Sequence, residues 1–360
     1  WQRRASDGCG LRPDSPQSVT FVSYQTDPHS MTQTQFDVLA IGNAIVDVIA
    51  QADEAFLTRH QVPKGIMSLI DSERAESLYE AMGPGIEMSG GSAGNTVAGV
   101  AALGGRAAYV GKVRDDWLGK VFTHDIRAAG VRFDTVMAEQ GPPTARSLIL
   151  VTPDAERSMN TYLGACVELG PDDVDPQVVA EAKVTYLEGY LWDPAGGKAA
   201  FRKASRLAQA SGRRVALSLS DPFCVDRYRD EFRDFVGEGV DILFANEEEI
   251  CSLYQAPDFD AALQAVRGHC EIAVLTRGVH GSVVVAGDEV HVIDAETVAK
   301  VVDTTGAGDL FAAGFLFGVT NGRDLPAAAR IGSLAAAEVV THYGARPEAS
   351  LKRLVDAKGL

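Results

Sequence analysis

The chain has 360 residues, 46% of them hydrophobic, enough to bury the core of one large α/β domain with a small appendage, or of two modest domains. A formal charge of -16, from 33 basic and 49 acidic side chains, argues against nucleic-acid binding but leaves a local phosphate site open to backbone amides, an arginine or two and Mg²⁺. Cys9, Cys166, Cys224, Cys251 and Cys270 are never spaced as CxxC and read as free thiols of a cytoplasmic protein, while no apolar run approaches the ~20 residues of a membrane span and no secretory signal opens the chain.

Residues 1–30 carry Arg3, Arg4, Pro13, Pro16 and Pro28 among Ser, Gln and Asp. They read as a disordered leader, or an upstream start before Met31, with residues 31–360 as a single domain. From Phe36 strands and helices alternate. The runs 36–42, 107–113, 184–190, 213–219, 240–246 and 271–278 read as strands. Helical segments are expected over 95–105, from Trp117 to Ala129, and over 197–210, 247–254 and 259–268. This rhythm predicts right-handed βαβ crossovers and a mostly parallel sheet covered on both faces. Residues 43–50 and 144–163 break it with extended sequence and a Pro-Asp turn at 153–154, which predicts a small projecting β-sheet that acts as a lid.

The segment DTTGAGDLFAAGFLFG (303–318) follows a strand-like AKVVD and enters a helix through a turn of small residues. The amides of Gly306, Ala307 and Gly308 are expected to point outward from that helix N-terminus as an anion site. Asp309 beside them is either a general base for an attacking hydroxyl or a helix cap. Asp303 is a cap, a cation ligand or a strand-end residue. In MSGGSAGNTVAG (88–99), Gly90 and Gly91 permit close backbone approach. Ser92 and Asn95 there either cap a helix or touch a hydroxylated ligand. In IGNAIVDVIA (41–50), Asn43 and Asp47 are the only polar side chains; Asp47 is suited to clamp two vicinal hydroxyls, or else faces solvent on a lid strand. Asn246 and Glu249 stand three residues apart in FANEEEI (244–250), placed for a hydrated Mg²⁺ or for ordinary helix-dipole chemistry. LTRGVHG (275–281) offers Thr276 to nucleotide phosphates or ribose, with Arg277 there or in solvent. The sequence contains neither a GxxxxGKS/T phosphate loop nor a well-placed GxGxxG, and its seven histidines lack metal-site spacing,.

In this order the segments GN…D, GGSAGN, NEEE, TRGVHG and DTTGAGD resemble the ribokinase-like (pfkB) carbohydrate and nucleoside kinase family, over roughly residues 36–347,. GNAIVD, SLSDPF (218–223), VDILFANEEE and YLEGY are similar to the adenosine kinase branch. The resemblance implies a ribokinase-like α/β fold with a β-sheet lid, and ATP-dependent phosphorylation of a primary hydroxyl of adenosine or of a free sugar. A catalytically silent nucleoside- or sugar-binding protein is the different-class alternative. It implies Asp309 as base and Gly306, Ala307 and Gly308 as anion hole. Asn246 and Glu249 would serve Mg²⁺, while Asp303, Thr305 and Gly344 would form a monovalent-cation site for K⁺. Thr276, Arg277, Gly278 and Gly281 would lie along ATP together with Asn246. Asp47 would hold ribose hydroxyls, with Asn43, Gly91, Ser92 and Asn95 at the same end. Tyr190 or Leu191 would lie near the base, Met67 and Leu69 at the pocket border, and Arg157 on the lid near the substrate. An exposed lid edge leaves a monomer or a homodimer open.

Overall fold

Every residue of strand β1 (Phe36–Ile41) is buried, because the strand lies mid-sheet with helices on both faces. Val38 and Ala40 enter one apolar core, and Leu39 and Ile41 enter the other,. The computed structural model describes residues 34–360 apart from Ala155; the leader expected at 1–30 lies outside the described residues. After β1 come β2 (Ile45–Gln51), β3 (Met67–Leu69), β4 (Gly85–Gly90), β5 (Ala107–Val110), β6 (Val131–Phe133), β7 (Ala145–Val151) and β8 (Arg157–Tyr162). The remaining strands are β9 (Ala182–Glu188), β10 (Arg214–Ser218), β11 (Ile242–Asn246), β12 (Ile272–Thr276), β13 (Ser282–Ala286) and β14 (Glu289–Ile293).

Nine strands form one sheet in the order β14-β13-β12-β11-β10-β9-β1-β5-β6. It is parallel from β6 to β12 and extended at one edge by antiparallel β13 and β14. Helices Ser92–Ala102, Trp117–Ala128, Ala307–Thr320 and Leu325–Val339 bring Val97, Phe122, Phe315 and Leu334 to one core. Helices Ala195–Ala210, Pro222–Gly239 and Glu247–Tyr254 bring Phe201, Phe232 and Ile250 to the other. This is the α/β architecture expected from the sequence. Among the described residues no helix is long and apolar enough to cross a membrane, and Cys166, Cys224, Cys251 and Cys270 are free.

The second sheet has the order β3-β8-β7-β2-β4. Its centre is what the sequence predicts: β2 beside a β7–β8 hairpin that turns at residues 152–156. Its two edges are not. β3 is three partly exposed residues, too short to show an alternating pattern. β4 takes in Gly90, read in the sequence as part of the close backbone approach before a helix, and pairs antiparallel with β2 so that Met88 opposes Asp47. A second departure concerns AKVVD, which joins neither sheet. Val302 and Asp303 donate their N–H groups to Val340 O at 2.8 and 3.3 Å instead. The turn that follows is therefore moored to the end of the Leu325–Val339 helix and not to a strand.

Candidate active site

The Ala307–Thr320 helix begins at Gly306, whose φ of 79° is left-handed; a side chain there would also press on Ala345, so glycine is required. Ala307, expected as a free donor, gives its N–H to Thr304 O at 3.2 Å. The helix opens on the cleft at Gly306 and Gly308. A Cβ at Gly308 would meet nothing within 4 Å, so this is where an anion can approach the N-terminus closely.

Asp309 follows in the first helical turn. Its Oδ1 accepts from Ser92 Oγ at 2.6 Å and its Oδ2 from Asn95 Nδ2 at 2.9 Å. The Ser92–Ala102 helix can deliver these donors because Gly91 at its N-cap has φ 82°. A side chain on Gly91 would overlap Asn43 O, and one on Gly90 would overlap the Asp47 carboxylate. Burial pushes the Asp309 carboxyl above its ordinary range, while the two donors and the nearby Arg346 pull the other way. A carboxylate held in one orientation can accept a proton from a hydroxyl brought within hydrogen-bond reach.

Asp47, on β2, lies in the same cleft. Burial pushes it up to about 7 against the pull of Arg346 and Arg157. Asn43 is braced by Glu188, the last residue of β9. Glu188 Oε1 accepts from Asn43 Nδ2 at 2.7 Å and from Asn43 N at 3.3 Å, and Oε2 accepts from Ala93 N at 2.8 Å. Burial takes Glu188 to about 7 as well, although its three donors oppose this. Asn95 Oδ1 is buried without a partner among the described residues, an acceptor left free at a site lined with carboxylates and amides.

The cleft holds about 590 Å³. Asn43, Asp47, Gly91, Ser92, Asn95 and Tyr190 line it, and Met67 borders it from the lid. Thr305, Gly306, Gly308, Asp309, Asn246, Glu249, Thr276 and Gly278 line it too. Its apolar part comes from Ile45, Leu69, Ile149, Met159, Leu163 and Phe223.

Asn246 and Glu249 form a reciprocal cap on the Glu247–Tyr254 helix. Glu249 Oε1 and Oε2 accept from Asn246 Nδ2 at 2.7 Å and Asn246 N at 2.9 Å, and Glu249 N donates to Asn246 Oδ1 at 2.8 Å,. Burial raises Glu249 to about 7, with Asp221 adding to the shift. Among the described residues no group of three or more His, Cys, Asp or Glu is placed to hold a metal ion. Remaining carboxylate lone pairs at the cleft edge still suit a divalent ion carried in with its waters.

Several expected residues stand off the cleft. Leu191 is fully buried in the apolar core, so of the pair only Tyr190 reaches the ligand space. Arg277 turns to Glu247, with Nε 3.2 Å from Oε2, and lies over the Phe259 ring at 4.2 Å. Gly281 sits at a turn of φ 78°. Asp303 has both oxygens engaged: Oδ1 by Thr305 N and Oγ1 at 3.0 and 2.8 Å, Oδ2 by Gly344 N at 3.0 Å and Arg157 Nη1 at 2.8 Å. These residues do not fit a monovalent cation, because a guanidinium already holds that carboxylate.

Two contributors escaped the sequence reading. Glu188 lay in plain view in YLEGY as a carboxylate at a strand end. Arg346 carried no signal: half-buried, it donates from Nη1 to Gly94 O at 2.9 Å and from Nη2 to Ser89 O and Oγ at 2.7 and 2.8 Å.

Residues 84–351 match the pfkB family of carbohydrate kinases. The chain belongs to this family. It is similar to the solved adenosine kinase of Sinorhizobium meliloti, with 57% identity, 90% of this chain and 100% of that one covered, and a TM-score of 0.84. It is comparably similar to a probable sugar kinase of Rhizobium etli, at 55% identity over 91% of this chain and 99% of that one, with a TM-score of 0.85. The adenosine kinase of Saccharomyces cerevisiae is 26% identical over 329 residues, covering 85% of this chain and 95% of its own length. This pfkB protein is an ATP-dependent kinase with an alcohol group as acceptor. The family implies ATP, usually with Mg²⁺.

Proposed function

We propose that this kinase transfers the γ-phosphate of ATP to the 5′-hydroxyl of adenosine, giving AMP, with Asp309 as general base. The observation that carries the chemistry is Asp309, fixed by Ser92 and Asn95 beside the open helix N-terminus at Gly308. Asp47 and Asn43 line the same cleft and suit the two ribose hydroxyls, with the unpartnered Asn95 Oδ1 as a further acceptor. The apolar lining from Ile45, Leu69, Ile149 and Phe223 suits a flat purine, which a free sugar does not need. The high identity to a solved adenosine kinase supports the same choice.

In this reading the acceptor hydroxyl gives its proton to Asp309 as its oxygen bonds to phosphorus and ADP leaves. The amides at Gly306 and Gly308, with the helix dipole, hold the charge spread over the transferred group. Mg²⁺, bound near Asn246 and Glu249, would neutralise phosphate charge. The lid sheet keeps out water, which otherwise competes as acceptor.

Two measurements test this. Asp309→Asn is expected to lower kcat by about 10²–10⁴-fold while calorimetry finds acceptor affinity nearly unchanged; near-normal turnover removes Asp309 from the base role. Initial rates with MgATP across adenosine, inosine, ribose and fructose decide the acceptor. A second reading, a sugar kinase with the same Asp309 chemistry, is favoured by the similarity to the Rhizobium etli protein. Faster phosphorylation of a free sugar than of adenosine would establish it.

A further inference from the structure

Arg157 opens strand β8 of the lid, yet its guanidinium does not stay there. It reaches the turn that precedes the helix N-terminus, with Nη1 2.8 Å from Asp303 Oδ2 and 3.4 Å from Thr305 Oγ1. The Tyr343 ring lies 5.3 Å from Cζ. The two charged side chains are only 8% and 5% exposed, so this is a desolvated pair in which each charge depends on the other. Nε and Nη2 of Arg157 are buried with no partner among the described residues.

What Asp303 does explains why a cation is needed there. It fixes Thr305 twice and Gly344 once. Thr305 precedes Gly306, and Gly344 precedes Ala345, against which Gly306 packs. The shape of the anion-binding turn thus hangs on one buried carboxylate, and a charge buried there needs a partner of opposite sign within reach.

We propose that the Arg157 guanidinium is this chain's built-in cation at Asp303, making turnover independent of K⁺ and tying the shape of the anion-binding turn to the position of the lid. The position of Arg157 is set within the lid sheet, where β8 pairs Arg157 with Val151 of β7. Lid placement, the Arg157–Asp303 pair and the turn at Thr305–Gly306 therefore form one mechanical chain. The proposal deepens the kinase reading of this cleft and rests on it for its kinetic arm alone.

The test compares K⁺ with choline at equal ionic strength, using the full chain. Wild-type turnover and melting temperature are expected to be the same in both salts. Arg157→Ala in choline is expected to lose about tenfold or more in kcat, the weight of one charge-assisted hydrogen bond, and to melt several degrees lower. Added K⁺ or guanidinium should restore part of both losses. Arg157→Lys, which keeps a cation in reach, should need neither. Strong K⁺ activation of the wild type, or an Arg157→Ala protein indistinguishable from it in choline, overturns the proposal. If no acceptor supports turnover the kinase reading falls, and melting still decides the cation. A wild-type midpoint raised by K⁺ over choline refutes the built-in cation; equal midpoints, with K⁺ stabilising only Arg157→Ala, uphold it.

Discussion

At Gly308 stability and activity are expected to point in opposite directions if the glycine serves ligand approach, and in the same direction if it serves folding. The position is in the first turn of a helix, where alanine is favoured over glycine by up to about 1 kcal/mol, and a Cβ would meet no protein atom within 4 Å. Gly308→Ala is therefore expected to leave the melting temperature equal or higher. Its methyl group would occupy the approach to the helix N-terminus, so kcat should fall by about tenfold or more; unchanged kcat would show that no phosphoryl group comes close there. Arg346 poses the converse case. Its charge draws both Asp47 and Asp309 downward, so Arg346→Met should raise the Asp309 pKa further and move the acid limb of the kcat/KM–pH profile to higher pH. Arg346→Lys should return part of that shift. A loss of activity equal at every pH would reduce Arg346 to a brace for Ser89 and Gly94. Asp309 was legible in the sequence because its surroundings are local: glycine, helix start and carboxylate lie within seven residues. Arg346 was not, since its partners Ser89 and Gly94 stand more than 250 residues away in sequence and no periodicity encodes such a contact.

The central strands were legible as elements because burial on both faces gives continuous apolar runs, as in β1, β9 and β12,. The lid was legible only in part. β2 alternates half-buried and buried positions, but β3 is too short and β4 begins and ends in glycine. Their pairing comes from the neighbouring strand and not from their own pattern. The reciprocal cap at Asn246 and Glu249 shows the same limit, since spacing alone cannot say whether two polar residues serve each other, a metal, or both. Where elements meet, Glu188 joins the end of β9 to Asn43 and to the first turn of the Ser92–Ala102 helix. Glu188→Ala leaves those N–H donors unpaired in a buried place. It is expected to cost about 1–3 kcal/mol in denaturant unfolding and to raise acceptor KM more than it lowers kcat, because Asn43 loses its brace while Asp309 keeps Ser92 and Asn95. Unaltered stability together with unaltered KM would show that Glu188 holds neither element.

Across the whole molecule, the excess of acidic over basic side chains includes carboxylates drawn into the cleft, and the cost of placing them there should appear in the pH dependence of folding. Burial raises Asp47 and Glu188 to about 7 from ordinary values of 3.8 and 4.5. Between those limits the folded state holds protons that the unfolded state has released. Stability from these two groups is therefore fully present below about pH 4 and is lost as pH rises through about 7. Exposed pairs act in a lower window: Lys198 draws Glu231 down and Lys64 draws Asp154 to about 2, contributions already complete by about pH 5. The unliganded protein should thus lose on the order of a few kcal/mol between about pH 5 and 8, read by urea unfolding at each pH. The double variant Asp47→Asn, Glu188→Gln should make that decline shallower, because neither replacement titrates, and leave the part that belongs to the likewise raised Glu249 and Asp309. If wild-type stability instead rises steadily from pH 5 to 8, these carboxylates are solvated in the unliganded cleft, and burial cannot be what tunes its acid–base chemistry.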